Sequence, residues 1–282
     1  MHVPPSREIM KGSRSLLMQN TELFFHFRPI LEDMSRADLD QEIERPNRLV
    51  VATSALGRKN IEVVYAPFDH VNREADIVIV GIAPGRQQMR NALIEAHRLI
   101  QMGGRDDEVM AGAKVFASFS GPMRANLVSL LDGIGIDKVL GLDSTASLWG
   151  KASNRVQFTS ALRYPVFIDG GNYSGTPAIA STSVLIDQLR QWFFPEMAAL
   201  SNAIFVPLGP QIGGILERTA EGLGIDRNRI LSGLPHPSGA NAERIAFFLG
   251  RKMRAALSAK VAPDPIERNR ELLQSKVAAL AA

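Results

Sequence analysis

The chain has 282 residues, 45% hydrophobic and 22% charged, near the averages of globular proteins, which excludes a largely disordered chain, a collagen and a coiled coil. Its 32 Lys/Arg against 29 Asp/Glu leave a net charge of +3, and the lack of cysteine excludes disulfides, a cysteine nucleophile, thiolate-held zinc and cysteine-bound iron–sulfur clusters. No run nears the ~18 apolar residues of a membrane span, and the N-terminus MHVPPSREIMKGSRSLL lacks the apolar core of a secretory signal, so a cytoplasmic protein without membrane contact is expected.

Residues 1–45 read as an amphipathic helical preamble, with Leu16, Leu17, Phe24, Phe25 and Leu31 among polar residues. Residues 46–250 alternate strand and helix. Ala75–Ile82 is a continuous β-branched run, as in a strand buried on both faces. A helix follows with Met89, Leu93, Ala96, Leu99 and Ile100 at helical spacing. Gly121-Pro122 opens another, because proline suits a first helical turn whose N–H has no partner. Arg155–Leu162 is a second strand, running into the Gly-rich loop Asp169–Gly175, and a long helix through Ile186–Phe194 comes next. Ala203–Gly209 is a third strand, followed by a helix through Ile212–Ala220. Arg229–Pro235 is a short fourth strand, and a helix through Ile245–Leu249 closes this part. Residues 251–282 form a basic helical tail of seven Lys/Arg against three acids, a net of +4, which leaves the body at −1. Such a tail reads first as a solvated helix and second as a nucleic-acid arm.

The alternation predicts an α/β domain with a mostly parallel, helix-covered sheet of four strands. Ligands of such sheets sit beyond the carboxyl ends of the strands, so the loops at Ala83–Gly85, Gly170–Gly175, Leu208–Pro210 and His236–Ser238 should converge. The dinucleotide and P-loop glycine patterns are absent. His236 stands between Pro235 and Pro237, which stiffen its backbone, at a strand-to-helix corner on the ligand face. A histidine held there can donate to a developing anion, although a lone histidine is more often structural. Ser238 suits a helix N-cap or a phosphate contact. Phe119 is either a core residue or a stacking platform for a base. The five histidines, His2, His26, His70, His97 and His236, have no metal-ligand spacing, and no metal is expected.

In order, the motifs GIAPG (81–85), FSGP (119–122), FTSALRYP (158–165), VPLG (206–209) and HPSGAN (236–241) resemble those of the uracil-DNA glycosylase superfamily over residues 75–250, nearest its cluster-free branch. The resemblance implies a three-layer α/β/α fold and a monomeric enzyme of base excision repair. That enzyme would need no cofactor, and it would hydrolyse the N-glycosidic bond of uracil or a related deaminated base in DNA. It further implies that Phe119 stacks on the flipped base and that His236 donates to the departing base. Gly81, Ile82, Ala83, Pro84 and Gly85 would line the pocket, with the turn at Ala83 holding the attacking water. Ser160 or Asn172 would read the base edge. Arg86, Arg163, Ser238, Gly239 and Asn241 would contact DNA. Three positions depart from the pattern. Ala83 stands where several members carry Asn or Asp, Ser160 where many carry Asn, and Gly239-Ala240 where many carry a wedge. These departures motivate two alternatives, a nucleic-acid-binding homologue with weak or lost catalysis and an unrelated small-molecule enzyme on a similar sheet.

Overall fold

The structure is a computed structural model that describes residues 13–117 and 122–281, with side chains from residue 22 onward. In chain order its elements are α1 (Ser13–Asp33), α2 (Arg36–Glu44), β1 (Val50–Leu56), β2 (Lys59–Val64), β3 (Ile77–Gly81), α3 (Arg86–Gln101), α4 (Asp106–Ala117), α5 (Pro122–Gly133) and α6 (Ile136–Val139). There follow β4 (Val156–Ser160), β5 (Val166–Ile168), β6 (Gly171–Asn172), α7 (Ser183–Gln188), α8 (Phe194–Ala199), β7 (Ile204–Pro207), α9 (Pro210–Thr219), α10 (Ala242–Phe248) and α11 (Pro263–Ala281). A π-helical turn, Leu189–Phe193, joins α7 to α8. The protein is mixed α/β, and no described helix is long and apolar enough to cross a membrane.

The central sheet is parallel, in the order β4-β3-β7, with Ile79 opposite Phe158 on one side and Val206 on the other. Strand alternation explains why β3 reads as unbroken hydrophobic sequence. Val78 and Val80 point into one core cluster with Phe24, Leu31, Leu93 and Val109. Ile77 and Ile79 point into a second with Leu127, Leu131, Phe248 and Leu273. Helices therefore cover both faces, α1, α3 and α4 on one and α5, α10 and α11 on the other.

The fourth strand expected over Arg229–Pro235 is corrected. Ile230 makes a single parallel bridge to Phe205, and the chain then leaves the sheet. Gly233 takes a φ of 117°, which a strand residue does not hold, and Pro235 has no N–H for a ladder. A second sheet not expected from the sequence is antiparallel, in the order β1-β2-β5-β6. Its last hairpin turns at Asp169-Gly170, with φ of 50° and 79°, the left-handed pair that a two-residue hairpin turn requires.

The segments expected as preamble and tail pack into these same cores. Phe24, Leu31, Leu39 and Ile43 join the first cluster, and Leu273 and Val277 the second. Phe25, expected on the apolar face of α1, is instead 54% exposed. Of the tail's cations, Arg254 pairs with Asp264 and Glu267, and Lys252 with Glu243, so their charge is largely answered within the fold.

Candidate functional site

The carboxyl rim of the parallel sheet brings together the first-motif turn, the Gly-rich loop and the loop after β7. Gly81 and Ser160 are register partners at the ends of β3 and β4. The ladder continues past both, with Ala161 N–H donating to Gly81 O at 2.9 Å and Leu162 N–H to Ile82 O at 2.9 Å. Leu208 N–H donates to Val80 O at 2.8 Å, which fixes the third loop beside the first. The Gly-rich loop folds over both. A Cβ on Gly175 would lie 3.2 Å from Gln211 Oε1 and 3.6 Å from Ile82 Cδ1, and its φ of 105° is one that only glycine holds easily. The fourth segment leaves the sheet at Ile230, whose partner Phe205 is in register with Val78, three residues before Gly81.

His236 is half-buried, and burial holds its ring below the usual histidine range, so it is neutral at pH 7. The Ser238 N–H donates to its Nδ1 at 3.2 Å. An accepting Nδ1 puts the proton of the neutral ring on Nε2, which is therefore a donor. The corner is held from two sides. Asn126 of α5 donates from Nδ2 to Pro237 O at 2.9 Å. Helix α11 grips the approach, with Asn269 Nδ2 on Gly233 O at 3.3 Å and Lys276 Nζ on Ile230 O at 2.9 Å. The Ser238 hydroxyl does not cap a helix. It accepts from Asn241 Nδ2 at 3.1 Å, and Asn241 Oδ1 in turn accepts from Arg244. Gly239 beside them is exposed, with open space where a side chain would stand.

The first-motif turn, Ile82-Ala83-Pro84-Gly85, ends by starting α3. Gln88 Oε1 accepts from Gly85 N–H at 3.2 Å, and Asn172 Oδ1 accepts from Arg86 N–H at 2.9 Å. Asn172, a candidate reader of the base edge, thus spends its carbonyl on a helix end. The hairpin turn at Asp169-Gly170 is what brings it there.

Two expected DNA contacts are corrected. Arg163 is 1% exposed and bonds Glu196 Oε2 at 2.6 Å and Trp192 O at 3.3 Å, so no phosphate reaches it. Arg86 donates to Glu44 O at 3.0 Å, to Gly170 O at 2.8 Å and to Ile43 O, with its guanidinium 4.2 Å above the Phe167 ring. It is a clamp between α2 and the antiparallel sheet. Phe119 lies outside the described residues, in the stretch between the end of α4 and the start of α5.

Beneath the first turn is a recess of about 20 Å³, room for one water-sized group, lined by Phe68, Pro84 and Phe158 and by the polar Gln88, Lys114, Thr159, Ser160 and Arg163. Its floor is a buried polar layer that the sequence reading missed. Glu196 accepts from Arg163 and, at 2.5 Å, from Gln157 Nε2, and lies 3.8 Å from Lys114 Nζ. Lys114 also donates to His70 O, while Asp69 accepts from Tyr164 at 2.8 Å and from Tyr65 at 3.1 Å. Burial raises Asp69 to about 6 and lowers His70 to about 4 and Lys114 to about 8. Burial opposes ionisation of Glu196 too, but Lys114 and Arg163 outweigh it and hold the carboxyl below its ordinary value. The available signal was Gln157 and Thr159, polar at alternate positions of a buried strand whose other face carries Val156 and Phe158.

A curated protein of Bacillus subtilis strain 168, the uncharacterized protein YoxB, is 35% identical over 193 residues, covering 67% of this chain and 75% of YoxB. The chain belongs to the YoxB family. No family model and no solved structure matches it.

Proposed function

We propose that the protein is a DNA glycosylase that releases uracil or a related deaminated base, with water as the nucleophile. The flipped base lies at the rim between the first-motif turn and His236. The glycosidic bond breaks and its electron pair passes into the ring. Water, held at the backbone of the Ala83 turn, adds to the sugar carbon and loses its proton to solvent. His236 donates from Nε2 to the ring oxygen on which negative charge gathers, as fixed donors do for other developing anions. Ser238, Gly239 and Asn241 form the corner next to the DNA strand. Phe119 remains the proposed stacking ring.

The observation that carries this reading is the bond from the Ser238 N–H to His236 Nδ1, which puts the proton of the neutral imidazole on Nε2. A catalyst that stabilises a leaving anion needs that tautomer in place before the bond breaks. The lack of a wedge at Gly239-Ala240 favours single-stranded or mispaired substrates, whose bases cost least to unstack. The test is incubation with labelled oligonucleotides carrying uracil, hypoxanthine, xanthine or mismatched thymine, followed by alkali. Strand breaks at the modified base are expected. Salt-dependent binding without breaks over long incubation would sink the catalytic reading and leave a nucleic-acid-binding protein.

A further inference from the structure

The chain beyond α10 returns to the His236 corner. Between Glu243 and Asp264 it carries five cations, Arg244, Arg251, Lys252, Arg254 and Lys260, and no acid. Glu243, in the first turn of α10, holds the returning segment with both of its oxygens. Oε1 accepts from Lys252 Nζ and from the Ser258 N–H, each at 2.8 Å, and Oε2 accepts from the Ser258 hydroxyl at 2.6 Å. Three residues on, Val261 is buried in turn. Lys260 stands between these two anchors. Its carbonyl accepts from Arg244 at 3.0 Å, and Arg244 also donates to Asn241 Oδ1 at 3.3 Å. Asn241 donates in turn to the Ser238 hydroxyl, so two side chains link the backbone of Lys260 to the corner. Lys252 and Arg254 are answered by Glu243, Asp264 and Glu267, whereas the Lys260 ammonium is exposed and pairs with no carboxylate among the described residues.

We propose that Lys260 binds a backbone phosphate of the DNA strand where it passes the Ser238–Asn241 corner, with Glu243 and Arg244 as the positioning residues that bring the segment there. The inference rests on the proposed reading of that corner as the DNA side of the site. It supplies a cation in place of Arg86 and Arg163, whose guanidinium groups the fold itself occupies. The backbone under Lys260 is already fixed, so binding orders only the side chain. A phosphate contact of this kind adds affinity and register without base preference.

Fluorescence anisotropy with a labelled oligothymidylate, titrated at several salt concentrations, tests this without requiring base release. Lys260→Gln is expected to melt as wild type, because the fold uses only the carbonyl of this residue. Its plot of log affinity against log salt should be shallower by about 0.7, the share of one phosphate on a single strand. At about 50 mM salt that corresponds to an affinity lower by roughly five- to tenfold. Lys260→Arg keeps the charge and should bind as wild type. Arg73→Gln, an exposed cation at the opposite, amino end of β3, should leave the slope unchanged. An unchanged slope in Lys260→Gln, an equal loss in Arg73→Gln, or no binding of the oligonucleotide by the wild-type protein overturns the proposal. Base release from uracil oligonucleotides together with an unchanged slope overturns it alone. A shallower slope with no base released overturns the glycosylase reading and leaves the phosphate contact standing.

Discussion

The backbone N–H of Ser238 lies 3.2 Å from Nδ1 of His236, close enough to set which ring nitrogen holds the proton. Protonating Nδ1 would break this bond, and burial already disfavours the charged ring. In the proposed reaction the neutral ring is the donor, so acid is expected to remove activity and base to leave it. Base release is expected to be flat above pH 6.5, the ordinary histidine value, and to fall only below it. Single-turnover rates from pH 4 to 9 check this. A rate that rises as pH falls through 6.5 would mean that the charged imidazole is the catalyst.

Asn126 ties α5 to the carbonyl of Pro237 at 2.9 Å, one residue past His236. Asn126→Ala should cost only about 1 kcal/mol of stability, the net worth of one hydrogen bond. It should cost more in rate, about tenfold, because a histidine displaced by a fraction of an ångström misses the oxygen it serves. Urea melts and base-release rates on the same preparation separate the two effects.

Arg163 and Glu196 form a buried pair, each 1% exposed. Removing Glu196 takes away the carboxylate that answers both Arg163 and Lys114. Glu196→Ala is expected to destabilise the fold by about 3–5 kcal/mol, measured by denaturant unfolding. Arg163→Ala should likewise lower stability while leaving the salt slope of DNA binding unchanged, since a buried guanidinium releases no phosphate counterion. A reduced slope in that variant would return Arg163 to the DNA face.

His70 and Asp69 pull stability in opposite directions with pH. His70 titrates near 4 when folded and 6.5 when unfolded, so acidification from 6.5 toward 4 protonates the unfolded chain first and destabilises the fold. Asp69 titrates near 6 when folded and 3.8 when unfolded, so over that interval the native state takes the proton first and is stabilised. Removing either exposes the other. Asp69→Asn should lose stability more steeply than wild type between pH 6 and 4, and His70→Gln less steeply, by urea titration at stepped pH.

Much of the parallel sheet was legible because burial on two faces leaves an unmistakable run at β3. The loops at its carboxyl end were legible for a related reason, since glycine and proline mark where a chain must turn sharply. The fourth strand misled because Ile230-Leu231 has strand composition, while Gly233 and Pro235, which end it, were read as its continuation. The antiparallel sheet was missed although Asp169-Gly170 is a strong hairpin signal; it was read only as part of a glycine-rich loop. The resemblance put Arg86 and Arg163 on the DNA face. Nothing local in the sequence distinguishes a solvated guanidinium from one that meets Glu196, Gly170 or Glu44 across the fold. The role of α11 was hidden for the same reason, because Lys276 and Asn269 act on carbonyls of a distant segment.

His236 is proposed to stabilise the departing base. Single-turnover release of uracil from a single-stranded oligonucleotide, compared between wild type and a His236→Ala variant with unchanged melting, tests it most directly. The variant is expected to be slower by roughly 10- to 1,000-fold, the loss typical of a fixed donor to a developing anion. Equal rates in the two proteins would contradict it.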